Sequence, residues 1–84
     1  MELKEILEVL VKGIVQTENQ VVVKEISGQV LHGKETIQYT IKVKPEEFSL
    51  LVGKGGSTIK ALRMIMSKLA GKQKKMVFVD LDEK

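Results

Sequence analysis

Leu51-Val52-Gly53-Lys54-Gly55-Gly56-Ser57-Thr58-Ile59-Lys60 breaks a short apolar run with a glycine-rich, lysine-bearing loop and then resumes a helical pattern. Glycines in such a loop permit a tight turn and the close approach of another backbone. The loop opens on a helix amino end, where amides without intrahelical partners suit an anion. From this point the charge changes character. Residues 51–79 hold Lys54, Lys60, Arg63, Lys68, Lys72, Lys74 and Lys75 and no acid, a net +7. Residues 1–50 carry −2 and residues 80–84 carry −2, so this one segment accounts for the net +3 of the 84-residue chain. A basic stretch set apart in this way suits an anionic polymer. A solvated helix face that happens to use lysine has the same charge.

Upstream of the loop, Ile37, Tyr39, Ile41 and Val43 alternate with Thr36, Gln38, Thr40 and Lys42, the pattern of a strand with one wet face. Pro45 ends it and suits the first position of a short helix, with Glu46 and Glu47 favourably placed in the first turn and Phe48, Leu51 and Val52 as anchors. Val21-Val22-Val23 begins an earlier, β-branched strand with an edge position or a bulge expected near Gly28. Gln29 to Lys34 fits either a long hairpin connection or a strand broken by Gly33, with His32 exposed beside a turn. Leu3, Ile6, Leu7, Leu10 and Ile14 recur at helical spacing over residues 2–16, and Gln16-Thr17-Glu18-Asn19 makes a polar break. Downstream, Ser57 or Thr58 is placed to cap a helix whose stripe is Ile59, Leu62, Ile65, Met66 and Leu69. Gly71 is expected to stop it, Lys72-Gln73-Lys74-Lys75 to turn, and residues 76–81 to form a last strand. The order is α-β-β-α-α-β: an α+β domain over residues 1–84, with a three-stranded sheet and the helices packed on one face.

Several chemistries are excluded. The chain has no cysteine and one histidine, which leaves no thiolate nucleophile, disulfide or multi-histidine metal cluster. No metal, cofactor or catalytic residue is expected. Lys54 precedes Gly55-Gly56-Ser57 and the loop joins two helices, unlike a Walker loop, and no Gly-x-Gly-x-x-Gly follows a strand. The amino end, Met1-Glu2-Leu3-Lys4-Glu5, is acidic and amphipathic, and no apolar run is long enough to span a bilayer, so a cytoplasmic protein without membrane contact is expected. What remains is binding of single-stranded nucleic acid. Gly53-Lys54-Gly55-Gly56, between a short helix and a longer basic one, has the arrangement of the GXXG loop that clamps four backbone nucleotides in KH domains. The small residues admit a phosphate backbone, and Lys54 adds charge without reading a base.

Residues 51–63 moreover resemble the Val-Ile-Gly-Lys-x-Gly-x-Thr-x-Lys-Ala-x-Arg stretch of the small bacterial KH-domain RNA-binding proteins, the KH-domain protein A family. The resemblance extends to Val43-Lys44-Pro45-Glu46-Glu47, to Lys12-Gly13-Ile14-Val15 and to the final basic turn and strand. It implies a type II KH fold and non-catalytic binding of single-stranded RNA through Gly53, Lys54, Gly55 and Gly56. Lys60 and Arg63 would be the basic residues of the following helix, and Val52 and Ile59 the apolar residues flanking the loop. Ser57 and Lys68 are secondary candidates. Gly55 stands where glutamine is frequent in the family, Ser57 where arginine is, and Leu50 where lysine is, which together imply weaker RNA contact than in a typical member. The resemblance also implies a homodimer, a larger KH-domain partner, an RNA-chaperone role, and influence on cell shape and the cell wall. The alternative is a protein-interaction or dimerisation module that uses the same loop and helix, with RNA contact secondary, to which Leu50, Met64 and Met66 would contribute.

Overall fold

An apolar residue every fourth position, Leu3, Leu7 and Val11, gives α1 (Leu3–Ile14) one stripe that is almost fully buried. The Glu2 amide donates to the Glu5 carboxylate at 3.3 Å and closes the first turn. The structure, a computed structural model, describes residues 2–16 and 20–82, so part of the expected polar break at residues 16–19 lies outside the described residues. β1 (Val22–Leu31) and β2 (Lys34–Lys42) are antiparallel, and β3 (Lys75–Leu81) joins β2 in parallel, so β2 is central and the other two are edges. The parallel connection runs through a 3-10 turn at Pro45–Glu47, α2 (Phe48–Val52) and α3 (Ser57–Lys72). The helices cover one sheet face. This is the α-β-β-α-α-β order of the type II KH fold.

The core sits between that face and the helices. Val23, Ile37, Tyr39, Ile41 and Val79 meet Leu7, Val11, Leu51, Ile59, Leu62, Met66 and Ala70. Burial, followed by a hydrogen bond with Glu25, raises the Tyr39 phenol well above its ordinary range. The fold therefore favours the neutral phenol, while the unfolded chain ionises it from about pH 10. That difference lowers stability only as pH rises past about 10. Urea melts at about pH 8 and about pH 11 should show a larger alkaline loss for the wild type than for Tyr39→Phe.

Several local expectations need correction. Gln29 to Lys34 is not a long connection but strand broken at Gly33, the second of the two alternatives. β1 and β2 pair up to Leu31 opposite Lys34, and His32 and Gly33, at φ 52° and 76°, make a two-residue turn of the kind that matches strand twist. The expected bulge is present, with Ser27 and Gly28 opposite Ile37 alone and Gly28 at φ 92°. Gly71 does not stop α3. The helix runs to Lys72, and Lys74 takes the left-handed conformation (φ 58°) while its amide returns to the Gly71 carbonyl at 3.0 Å. Ile65 is exposed, because the buried stripe follows Ile59, Leu62, Met66 and Ala70 and leaves it at the margin. Met66 is fully buried and offers nothing to a partner. Thr36, on the face expected to be wet, is buried, its hydroxyl donating to the Lys34 carbonyl at 3.3 Å. Glu47 is also buried and accepts the Gln16 amide at 2.7 Å, tying the end of α1 to the entrance of α2.

Candidate nucleic-acid interface

The loop is built by backbone conformations that side chains resist. Gly53 ends α2 at φ 75°, ψ 174°, its amide donating to the Ser49 carbonyl at 2.9 Å. Gly55 (φ 61°, ψ 22°) and Gly56 (φ 79°, ψ 14°) are left-handed, and the Gly56 amide folds back on the Gly53 carbonyl at 3.2 Å. Gly53 faces a second constraint. A Cβ there would lie 2.7 Å from the amide nitrogen and Cβ of Thr58, and closer still to its Oγ1. Thr58 is thus packed onto the loop and does not cap α3. Nor does Ser57, which is already helical (φ −64°, ψ −40°) behind Gly56 as N-cap. The expectation of a hydroxyl cap fails because a left-handed glycine occupies the cap position. No side chain caps the amino end of α3, so the loop and this helix end together suit an external anion.

Beside the loop runs a groove between α2, α3 and the outer edge of β3. Phe48, Val52, Ile59, Arg63, Asp80 and Leu81 line the part nearest α2. It continues past Arg63 and Ser67 along Val77, Phe78 and Val79. Lys54, Gly55, Ser57 and Lys60 are exposed, while Gly53, Gly56 and Val52 are half-buried. Ile59 is core at one side of the groove. Lys68 is exposed but lies about 140° around the helix axis from Arg63 and lines neither part of the groove.

Arg63 is not a free arm. Its Nε donates to the Val79 carbonyl at 2.9 Å and its Nη2 lies 3.6 Å from the Asp80 carboxylate, while Gln38 Nε2 donates to the other Asp80 oxygen at 3.2 Å. Both charged side chains are about half exposed, so the pair adds little to stability. Its effect is on position: Asp80 offsets the Arg63 charge and fixes the guanidinium plane across the groove. Sequence reading placed Asp80 with the acidic tail and overlooked it. Its signal was an acid alternating with apolar residues in β3.

Among the described residues no three His, Cys, Asp or Glu side chains gather as a metal site, and no helix is long and apolar enough to cross a membrane.

The family model described as KhpA/KhpB, KH domain, matches residues 4–81. The chain is 38% identical over 74 residues to the RNA-binding protein KhpA of Thermotoga maritima, covering 88% of this chain and 92% of that one. It is 32% identical over 79 residues to the RNA-binding protein KhpA of Clostridium acetobutylicum, covering 94% and 99%, and 33% identical over 79 residues to that of Clostridium perfringens, with the same coverage.

Proposed function

Because the chain belongs to the KhpA/KhpB KH-domain family, a family of non-catalytic modules that bind single-stranded RNA, we propose that its glycine loop clamps the RNA backbone while the adjoining groove holds unstacked bases. The observation that carries this is the conjunction at residues 53–58. Three glycines at positive φ lead into an uncapped helix end, next to a groove whose near wall is apolar. Lys54 and Lys60 supply charge to the backbone side. Val52, Phe48 and Leu81 supply an apolar surface for bases, with Arg63 set across it.

Salt-dependent anisotropy of a labelled single-stranded RNA tests the assignment of charge. Lys60→Gln should weaken binding and reduce the slope of log K against log salt by roughly 0.7. Asp80→Asn should do the reverse, strengthening binding and steepening the slope, because it releases the Arg63 charge. A weakening by Asp80→Asn would mean that the positioning of Arg63 outweighs its charge.

Self-association and action with a larger KH-domain partner, as an RNA chaperone in the cytoplasm, belong to the same proposal. One small domain offers few phosphate contacts, and two linked sites gain through effective concentration. A different surface favours the self-association. Val9 and Ile65, 57% and 41% exposed, line an apolar cleft with Leu10, Gly13, Ile14 and Ala61, between α1 and α3. Self-association that survives loop substitutions would assign it to this face.

A further inference from the structure

β3 is an edge strand, and its side chains divide cleanly. Val77, Val79 and Leu81 pair with Ile37, Tyr39 and Ile41 on the covered face, whereas Met76, Phe78 and Asp80 pair with Thr36, Gln38 and Thr40 on the open one. The chain has three aromatic residues. Tyr39 is buried and Phe48 half-buried in the groove wall, but Phe78 is 46% exposed. Phe78 nevertheless lines the same hollow as Arg63, Ser67 and Asp80, while its side chain belongs to the open sheet face. Around it that face mixes polar, cationic and apolar side chains: Gln38 and Thr40 on β2, Lys24 on β1 opposite Thr40, the exposed Ile26 opposite Gln38, and Lys42 opposite the exposed Val22. The acid beside Phe78, Asp80, is engaged by Arg63 and Gln38.

We infer that Phe78 is a base-stacking residue, and that an RNA strand leaving the groove crosses the β3 edge and lays its next base on the exposed ring. The inference rests on the loop-bound RNA proposed above and extends the contact beyond the four nucleotides a glycine loop clamps. A flat exposed ring on a sheet face that also carries Lys24 and Lys42 suits a base, whose face is apolar and whose phosphate is anionic. Continuity with the groove favours RNA on this face over a protein, because a strand running along Arg63 and Ser67 meets the β3 edge at Phe78 and has only that edge to cross. Lys24 and Lys42 would then take phosphates further on.

The test compares oligoadenylates of four and eight nucleotides with the wild type, Phe78→Ala, Phe78→Trp and the Gly55→Asp, Gly56→Asp double variant. Phe78→Ala should leave the four-nucleotide affinity within about twofold and reduce the eight-nucleotide affinity by about 5- to 150-fold. The chain has no tryptophan, so Phe78→Trp installs a single indole that can be excited apart from Tyr39. It should retain tight binding, with fluorescence quenched by the longer oligonucleotide and not by the shorter. The loop variant should lose both oligonucleotides. Equal loss for the two lengths in Phe78→Ala, or no quenching in Phe78→Trp, overturns the stacking role and leaves the loop clamp standing. A Phe78→Ala variant that binds RNA normally but no longer self-associates in sedimentation assigns the ring to a protein contact and overturns it also. Failure of the wild type to bind either length would remove both proposals.

Discussion

Gly53→Ala should lose RNA binding and a measurable part of its folding stability together, the largest effect expected of any single methyl group in the loop. Two costs coincide there. At φ 75° and ψ 174° the backbone occupies a region that is essentially glycine-only. A methyl carbon would also stand 2.7 Å from the Thr58 amide nitrogen, a backbone atom that cannot rotate away, as well as meeting the Thr58 side chain. Relief requires α2 and α3 to part at their junction, which breaks the clamp and disturbs Leu51, a fully buried residue two positions earlier. We expect about 2–4 kcal/mol of destabilisation, the range for strain at a special backbone position combined with overpacking, and RNA affinity at least about 100-fold lower, as expected when a preorganised contact is lost. Gly56→Ala serves as the comparison. Its φ of 79° imposes conformational strain, but the nearest atom to the added carbon is Lys60 Cε at 3.8 Å, so only about 1 kcal/mol should be lost. Urea denaturation that ranks the two variants equal would contradict the role given to Thr58.

The double substitution Gly55→Asp, Gly56→Asp should separate binding from folding. Both positions are left-handed, a conformation aspartate tolerates better than most residues, and neither added Cβ meets anything closer than 3.8 Å. The fold should persist. Binding should not, because two carboxylates would stand where phosphate oxygens dock. Repulsion between unit charges about 4 Å apart amounts to about 1 kcal/mol in bulk water and about 4 kcal/mol near a protein surface. One of the new acids also adjoins Lys60 and would neutralise it. The combined effect should exceed 100-fold in affinity, about 3 kcal/mol on the same scale.

The parts of this protein legible in its sequence are those where one residue type has one physical meaning. Alternation of Ile37, Tyr39 and Ile41 with polar residues revealed β2, because that strand is covered on a single face. Glycines spaced as Gly53 and Gly56 revealed the loop, because few other residues tolerate those conformations. Legibility failed where a residue acts against its preference or through a distant partner. His32 and Lys74 take positive φ without being glycine, so the hairpin tip stayed open between two readings and the end of α3 was misplaced. Thr36 and Glu47 are buried polar residues whose partners satisfy them locally or across the chain. Asp80 and Phe78 gain their significance from Arg63 and from the edge position of β3, neither of which periodicity reveals. The basic segment illustrates the same limit. Its charge fitted an anionic-polymer site and a solvated helix face alike, and of its side chains Arg63 is held by Asp80, Lys75 lies 3.7 Å from Glu35, and Lys68 points away from the groove. Lys54 and Lys60 remain beside the loop.

The central claim is that the glycine loop holds the RNA backbone. Anisotropy of a short labelled single-stranded RNA, measured across a salt series for the wild type and the Gly55→Asp, Gly56→Asp variant, tests it most directly. The wild type should bind saturably, with affinity falling linearly in log salt, while the variant, folded by circular dichroism, should show no saturable binding at any salt concentration. Equal affinity and equal salt slope for the two proteins would contradict the claim.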